Sequence, residues 1–274
     1  MATSVDILAR HLAPATLVIF RLSGLAVFAP VIGSPAVPRR VKALLVFLLG
    51  IAVYPTLAAG PLAGQDVPLS IGGLAPLVVG ELFVGAVIGF LALLPMVAMQ
   101  MSGLVMGQQM GLGFARIYNP AMDEEGDVLE QSLFFLGLLS FLTVGGLEQM
   151  TLALVRSFQF VSLGGAGNVV AVGGYGLDNG LMRLLTGVLL AATELALRVS
   201  APLLCLFFLE TVSMGFLSKS MPALNLMALG FPLRIMLGLA VIVLGMGAVG
   251  AALQEFTHAD IDLLSRWFVT GGNA

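Results

Sequence analysis

The sequence predicts an all-α, membrane-type protein, and three observations lead to that prediction. Hydrophobic residues make up 59% of the 274 positions and charged residues only 10%, whereas soluble proteins average about 45–50% and about 25%. Apolar runs of roughly the 20 residues needed to cross about 30 Å of hydrocarbon recur along the chain. These runs lack the two-residue alternation of barrel strands, and an open sheet would leave backbone groups unpaired in lipid. A water-soluble globule is therefore excluded.

Six segments are predicted to be long hydrophobic helices. They lie near residues 12–33, 43–60, 71–98, 131–155, 181–209 and 227–254. The first follows Arg10 and His11, is longer than the core of a signal peptide, and contains Arg21. We therefore expect it to be an uncleaved membrane segment.

The connections between these segments differ in composition. The turn from Gly33 to Lys42 is bounded by prolines and holds three of the twelve basic residues, so the positive-inside rule predicts that it faces the cytoplasm. The connection from Gly60 to Pro68 carries only one acid and is predicted on the other side. The stretch from Gly113 to Asp127 is polar enough to leave a bilayer, and the one from Gly164 to Gly176 is rich in glycine.

Six charged residues lie within or at the margins of the apolar segments. Each would oppose insertion by about 2.5–3.5 kcal/mol at a helix centre facing lipid, so they are expected to face protein or water. Glu194 precedes Arg198 by four residues, a spacing that predicts an ion pair between them. The charges favour pairing between helices or subunits, with a proton or ion pathway as the alternative. The six are Arg21, Glu81, Glu194, Arg198, Glu210 and Arg234.

Small residues and methionines recur on one part of the third helical region. Gly103, Gly107 and Gly111 are spaced by four residues, and Gly85 and Gly89 repeat that spacing, which predicts close approach of helix backbones. Beside them lie Met99, Met106 and Met110. Such methionines suit a surface that adapts to varied contacts, or simply fill gaps in a core.

The segment from Gly113 to Pro120 is predicted to end the helical pattern at a proline. Its candidate functional residues are Phe114, Ile117, Tyr118, Asn119 and Pro120. At membrane depth its unpaired backbone groups could not face lipid, so protein would have to enclose them or they would line an aqueous path. A re-entrant or constricting loop and an ordinary interhelical loop both fit these residues.

No catalytic, cofactor-binding or metal-binding signature is present in the sequence. There is no HExxH or GxSxG motif and no His/Cys/Asp cluster with metal-ligand spacing, so we expect no enzyme, cofactor or metal. Cys205 is the single cysteine and is predicted to be a small core residue. The net charge of −3 and scattered basic residues argue against binding of nucleic acid.

The ordered motifs along residues 10 to 255 resemble the flagellar export-gate family FliR, which is related to the injectisome SctT family. They are FRLSG at 20–24, APVIG at 29–33, VPRRVK at 37–42, GELFVG at 80–85, GQQMGL at 107–112, the Asn119–Pro120 break, AP at 201–202, MGFL at 214–217, MPALN at 221–225 and GFPLR at 230–234.

The resemblance implies a non-enzymatic subunit of the type III export gate. Such subunits assemble with FliP and FliQ into a helical complex at the core of the flagellar basal body in the bacterial inner membrane. That complex passes unfolded rod, hook and filament proteins, and the FlhB and FlhA homologues are expected as further partners, with membrane lipid around it. By resemblance, residues 1–175 are FliP-like, residues 176–274 form a FliQ-like helical hairpin, and the Phe114 loop, with Phe114 and Ile117 as its bulky residues, plugs the closed channel.

Two alternatives to a flagellar gate subunit remain at this point. The injectisome form of the same gate shares the motifs. A small-solute transporter is suggested by Arg21, Glu81 and Arg234 inside apolar runs.

Overall fold

The computed structural model describes residues 4–60, 71–112, 128–161, 163, 177–220 and 226–270, and every regular element in these ranges is an α-helix. The helices are α1 (Ser4–Phe28), α2 (Arg39–Ala58), α3 (Ile71–Met110), α4 (Val128–Thr143), α5 (Gly146–Phe160), α6 (Leu177–Ser220) and α7 (Leu226–Thr270). Five are long and apolar enough to cross a membrane, and the bent pair α4–α5 raises the number to as many as six. The predicted all-α membrane-type fold is confirmed.

The segment near 131–155, predicted as one helix, is two helices with a bend between them. Helices α4 and α5 meet at an angle of 66° across a break of two residues. Gly145 there has a φ of 77°, a left-handed conformation that glycine adopts without a steric penalty. The pair of glycines at 145 and 146 therefore breaks a run that hydropathy alone reads as continuous.

Helix α3 is longer than the segment 71–98, but it ends well before the proline predicted to end the helical pattern. It ends at Met110, and the next residue, Gly111, has a φ of 80°. The Leu112 amide donates to the Gly107 carbonyl at 3.0 Å, and the Gly111 amide donates to the Gln108 carbonyl at 3.1 Å. These two bonds form a Schellman motif, which satisfies carbonyls at the helix end.

The turn between α1 and α2 begins earlier than predicted, because α1 ends at Phe28 and not at Gly33. Pro30 disfavours the helical conformation at the residue before it. Val31 follows with a φ of 70°, an uncommon conformation for a β-branched side chain. Lys42 ties the turn to α2, since its Nζ donates to the Gly33 carbonyl at 2.9 Å.

The chain divides into two compact units. Unit 1 comprises Met1–Leu93, Gly145–Val188 and Ala259–Ala274, and unit 2 comprises Leu94–Val144 and Leu189–His258. The core of unit 1 includes Leu17, Leu91 and Leu154, and that of unit 2 includes Met96, Met99, Leu133, Phe141 and Leu203, all nearly or completely buried. The predicted likeness of residues 1–175 and 176–274 to two different partner proteins stays a prediction.

Candidate functional site

Two of the charges predicted inside apolar segments form a fully buried ion pair in unit 1. Arg21 of α1 donates from Nε to Oε2 of Glu81 on α3 at 2.5 Å, and both side chains are completely buried. Neither charge faces the chain's surface, so for this pair the prediction that the charges face protein is confirmed. The pairing is within the chain.

Helix α5 supplies the other contacts of Arg21. Its Nη1 donates to Ser157 Oγ at 2.9 Å and its Nη2 donates to the Val161 carbonyl at 3.1 Å, while the guanidinium carbon lies 4.0 Å from the centroid of the Phe158 ring. The Val161 carbonyl follows the last residue of α5, where the helix dipole favours a cation. One side chain thus joins α1, α3 and α5.

Glycines let α1 and α3 approach closely on both sides of this ion pair. A Cβ on Gly85 would overlap the Arg21 carbonyl oxygen, and a Cβ on Gly24 would overlap the Leu82 carbonyl oxygen. A Cβ on Gly89 would lie 2.5 Å from the Leu25 carbonyl oxygen. The close backbone approach predicted from the spacing of Gly85 and Gly89 is confirmed.

A second pair of predicted charges joins α6 and α7 within unit 2. Arg234 Nε donates to Glu210 Oε2 at 2.9 Å, and Nη2 donates to Thr211 Oγ1 at 2.7 Å. The Glu210 side chain is 8% exposed and that of Arg234 is 32% exposed. Arg234 and Glu210 are 24 positions apart in the sequence. Their ion pair therefore joins α6 to α7 near the connection between the two helices.

The ion pair predicted between Glu194 and Arg198 is wrong. Arg198 Nη1 lies 3.7 Å from Glu255 Oε2 on α7, and among the described residues this is its ion pair. Glu194 is exposed on α6. The spacing rule for a single helix failed because a facing helix offers Arg198 another carboxylate.

The methionines predicted to lie beside the glycines of the third helical region are in the core of unit 2, as are Gly103 and Gly107. Met99, Met106 and Met110 are at most 4% exposed, and Gly103 and Gly107 are buried. A Cβ on Gly103 would lie 2.7 Å from Glu130 Cα of α4, and a Cβ on Gly238 of α7 would lie 2.7 Å from Met110 Sδ. Within this chain the three methionines fill gaps between helices.

One further prediction is wrong, and another lies outside the described residues. The candidate plug residues Phe114, Ile117, Tyr118, Asn119 and Pro120 lie outside the described residues. Cys205, predicted in the core, is exposed on α6, because an apolar run does not show which helix face packs inward. No group of three or more metal-ligating side chains lies together in the part of the chain that the structure describes.

A family model described as "Bacterial export proteins, family 1" matches residues 12–259. The chain belongs to this family. The match includes all six predicted charges and the whole of α2 through α6, so membership rests on most of the described helices. The family is a component of export machinery, which agrees with the resemblance to FliR proteins.

Individual relatives confirm that resemblance. The flagellar biosynthetic protein FliR of Escherichia coli (strain K12) is 28% identical over 249 residues, which is 90% of this chain and 89% of that protein. The FliR protein of Caulobacter vibrioides is 24% identical and covers 92% of this chain and 95% of its own length. The Yop proteins translocation protein T of Yersinia pestis is 28% identical, with 84% of each chain covered.

Sequence reasoning missed several partners of the predicted charges in this export-family chain. Ser157, Phe158 and the Val161 carbonyl meet Arg21 from more than 130 residues away, and no local pattern marks them. Glu255 lies one residue beyond the predicted segment 227–254.

Proposed function

We propose that the chain is a non-enzymatic subunit of the flagellar type III export gate. It assembles with FliP and FliQ relatives, in the bacterial inner membrane at the basal body, into the channel for unfolded rod, hook and filament proteins. The observation that carries this proposal is the likeness to FliR of Escherichia coli along about nine tenths of both chains. The likeness extends across both compact units, so it supports a role of the whole chain.

The lengths of the apolar helices support an assembly over simple membrane spans. The apolar parts of α3 and α6 are 37 and 36 residues long, or about 55 Å at 1.5 Å per residue. Crossing about 30 Å of hydrocarbon would require tilts of about 57°, beyond the usual range of about 0–40°. Part of this apolar surface therefore needs another protein to cover it.

Helix α7 has the smallest buried share among the five candidate membrane spans of the described chain. Only three of the 30 positions in Gly230–Ala259 are buried within the chain, namely Gly238, Leu253 and Thr257. Leu244 is 86% exposed, and Val243 and Met236 are about 70% exposed. In the proposed gate this face packs against a partner subunit.

Co-expression with the FliP and FliQ relatives of the same genome tests the proposal. A tagged chain should recover both partners as one stable complex from solubilised membranes. Leu244→Glu should lose the partners, because it places a carboxylate on the apolar face of α7, whereas Gln254→Glu, at an exposed polar position of the same helix, should retain them. Failure of the unaltered chain to recover either partner would refute the assembly.

The plug belongs to the same proposal. Helix α3 ends at Met110, whose side chain is buried, so the chain leaves a packed helix end three residues before Gly113. A segment anchored in this way is suited to closing a channel with Phe114 and Ile117. Removing residues 114–119 from the assembled complex should increase ion leakage across the membrane, and Val128→Ala, at an exposed position after the segment, should not.

An injectisome gate is a second candidate, favoured by the likeness to the Yersinia translocation protein. The two can be separated in a strain that lacks this gene. Loss of swimming and of filament protein from the medium supports the flagellar gate. Loss of secreted effector proteins with swimming intact would support the injectisome form.

The features that suggested a solute transporter are accounted for by packing. Arg21 pairs with Glu81, and Arg234 pairs with Glu210. A charged side chain that is paired within the protein already has its counterion, so it does not need a transported ion to neutralise it. Uptake of solute by this chain alone in liposomes would nevertheless contradict the export role.

A further inference from the structure

A half-open groove of about 430 Å³ lies along α7 within unit 2. Its volume falls in the range of about 300–1,000 Å³ typical of ligand sites. One wall is α6 at Val199, Pro202 and Leu203, and Met106 and Leu133 line it as well. The lining is almost entirely apolar, and no step of the proposed export role uses it.

One face of α7 forms the floor of the groove. Val241, Gly245, Ala248, Ala252 and Glu255 line it, and their spacing of four, three, four and three residues places them on one side of a helix. The distance from Val241 to Glu255 is about 21 Å along the helix axis. The small side chains in the middle leave the space that the groove occupies.

A positive and a negative charge stand together at one end of the groove. Arg198 Nη1 and Glu255 Oε2 are 3.7 Å apart, and their side chains are 65% and 73% exposed. The other two ion pairs of the described chain have distances of 2.5 and 2.9 Å, close to the roughly 2.7–2.9 Å of a charge-assisted hydrogen bond. Neither the Arg198 nor the Glu255 side chain makes a hydrogen bond with other described residues, so both side chains keep capacity for a ligand.

We propose that this groove binds one phospholipid with a zwitterionic headgroup that ends in a primary ammonium. The phosphate contacts Arg198, the ammonium contacts Glu255, and one acyl chain lies along α7 toward Val241. A headgroup with both charges matches this pair, whereas a purely anionic headgroup would be repelled by Glu255.

The position and length of the groove fit such a lipid. Glu255 lies four residues before the end of the apolar segment Gly230–Ala259, so the charges are near its polar margin and the groove runs into its apolar part. A length of about 21 Å exceeds the roughly 15 Å depth of one leaflet, half of a core of about 30 Å. An acyl chain can therefore extend fully within it.

The lining of the groove favours a lipid over a helix of a partner protein. An apolar lining joins a pair of opposite charges at one end, and one lipid molecule supplies both an acyl chain and a charged headgroup. The inference does not depend on the proposed role in export.

Native mass spectrometry of the purified full chain tests the proposal with two added lipids. The probes are 1-palmitoyl-2-oleoyl phosphatidylethanolamine and the phosphatidylglycerol with the same acyl chains. Gly245→Trp should fill the groove and reduce phosphatidylethanolamine binding about tenfold or more. Gly247→Trp is its control, since neither glycine has an atom within 4 Å of an added Cβ but only Gly245 lines the groove.

Charge variants test the headgroup assignment without filling the groove. Glu255→Gln should abolish the preference for phosphatidylethanolamine over phosphatidylglycerol, because the partner of the ammonium is lost. Arg198→Gln should weaken both lipids about tenfold, as loss of a charge-assisted contact predicts. Glu194→Gln, an exposed charge of α6 outside the groove, should leave both unchanged.

Three results would overturn the inference. They are equal lipid binding by the Gly245→Trp and Gly247→Trp variants, a lipid preference that is unchanged by Glu255→Gln, and a photo-cross-link from position 245 to a partner subunit in place of lipid. Since lipid binding is measured on the purified chain, its failure would leave the export proposal standing, and loss of export would leave the lipid result standing.

Discussion

Arg21 and Glu81 form an ion pair of 2.5 Å in which neither side chain is exposed. The two residues are 60 positions apart and lie on α1 and α3, where glycines allow the backbones to come close. A buried ion pair adds little net stability, because desolvation of both charges offsets their attraction. Its structural effect is greatest when one partner is removed, since the remaining buried charge then loses the counterion that this ion pair supplies.

Arg21→Met should be among the most destabilising substitutions in unit 1. It removes the cation but keeps a long side chain, and it leaves Glu81 buried without its main partner. We expect a loss of about 3–5 kcal/mol in the free energy of unfolding. Chemical denaturation of the purified chain in mild detergent measures it.

The exposed ion pair of Arg198 and Glu255 supplies the control for the Arg21→Met variant. Arg198→Met should change the free energy of unfolding by only about 0–1 kcal/mol, because Arg198 is 65% exposed. Adding Glu81→Leu to Arg21→Met should recover part of the loss, since the buried carboxylate is then removed together with its cation. Equal effects of Arg21→Met and Arg198→Met would show that burial of the first pair is not what makes it important.

Gly85→Ala should destabilise the contact between α1 and α3. An added Cβ would overlap the Arg21 carbonyl oxygen and lie 2.8 Å from the Leu25 amide nitrogen, both backbone atoms that cannot move independently. Overpacking of this kind costs about 1–3 kcal/mol. Gly187→Ala is the matched control in α6, where nothing lies within 4 Å, and it should stabilise by up to about 1 kcal/mol. Thermal unfolding of the two variants should therefore shift in opposite directions.

The fold class was predictable because a chain with so many apolar residues must be surrounded by lipid or by other protein subunits. The six runs had the right order, and Gly85 and Gly89 showed that two helices come close. The lengths were less predictable, because α3, α6 and α7 are each at least 12 residues longer than the predicted runs. Hydropathy could not show the bend at Gly145 or the end of α3 at Gly111, because both depend on left-handed glycines within otherwise apolar sequence.

The partners of the charges were less predictable than the charges themselves. Arg21 and Arg234 can be recognised from the sequence because each is a charged residue inside an apolar run. Their partners cannot, because they are determined by the packing of helices that are distant in sequence. Arg198 shows the difficulty, because its own helix offers Glu194 at the right spacing and the facing helix offers Glu255. Cys205 shows the same difficulty for burial, since every face of its segment is apolar.

Arg234 and Glu210 should respond unequally to truncation. Glu210 is the more buried partner, with 8% of its side chain exposed against 32% for Arg234. Arg234→Ala leaves a buried carboxylate unpaired, whereas Glu210→Ala leaves a guanidinium that keeps its bond to Thr211 and some access to solvent. We expect Arg234→Ala to cost about 1–3 kcal/mol and the reverse truncation to cost less. Urea denaturation of both variants checks the order, and the opposite order would contradict the burial seen here.

Gly111→Ala should weaken the end of α3, which leads into the proposed plug. With a φ of 80°, Gly111 completes the Schellman motif, and an alanine there would carry a steric penalty of about 1 kcal/mol. Gly111→Asn should be milder, because asparagine adopts the left-handed conformation more readily than alanine does. Hydrogen exchange of the Leu112 amide, which donates to the Gly107 carbonyl, should accelerate in the order glycine, asparagine, alanine at position 111. Equal exchange rates in the asparagine and alanine variants would mean that the left-handed residue does not hold this helix end.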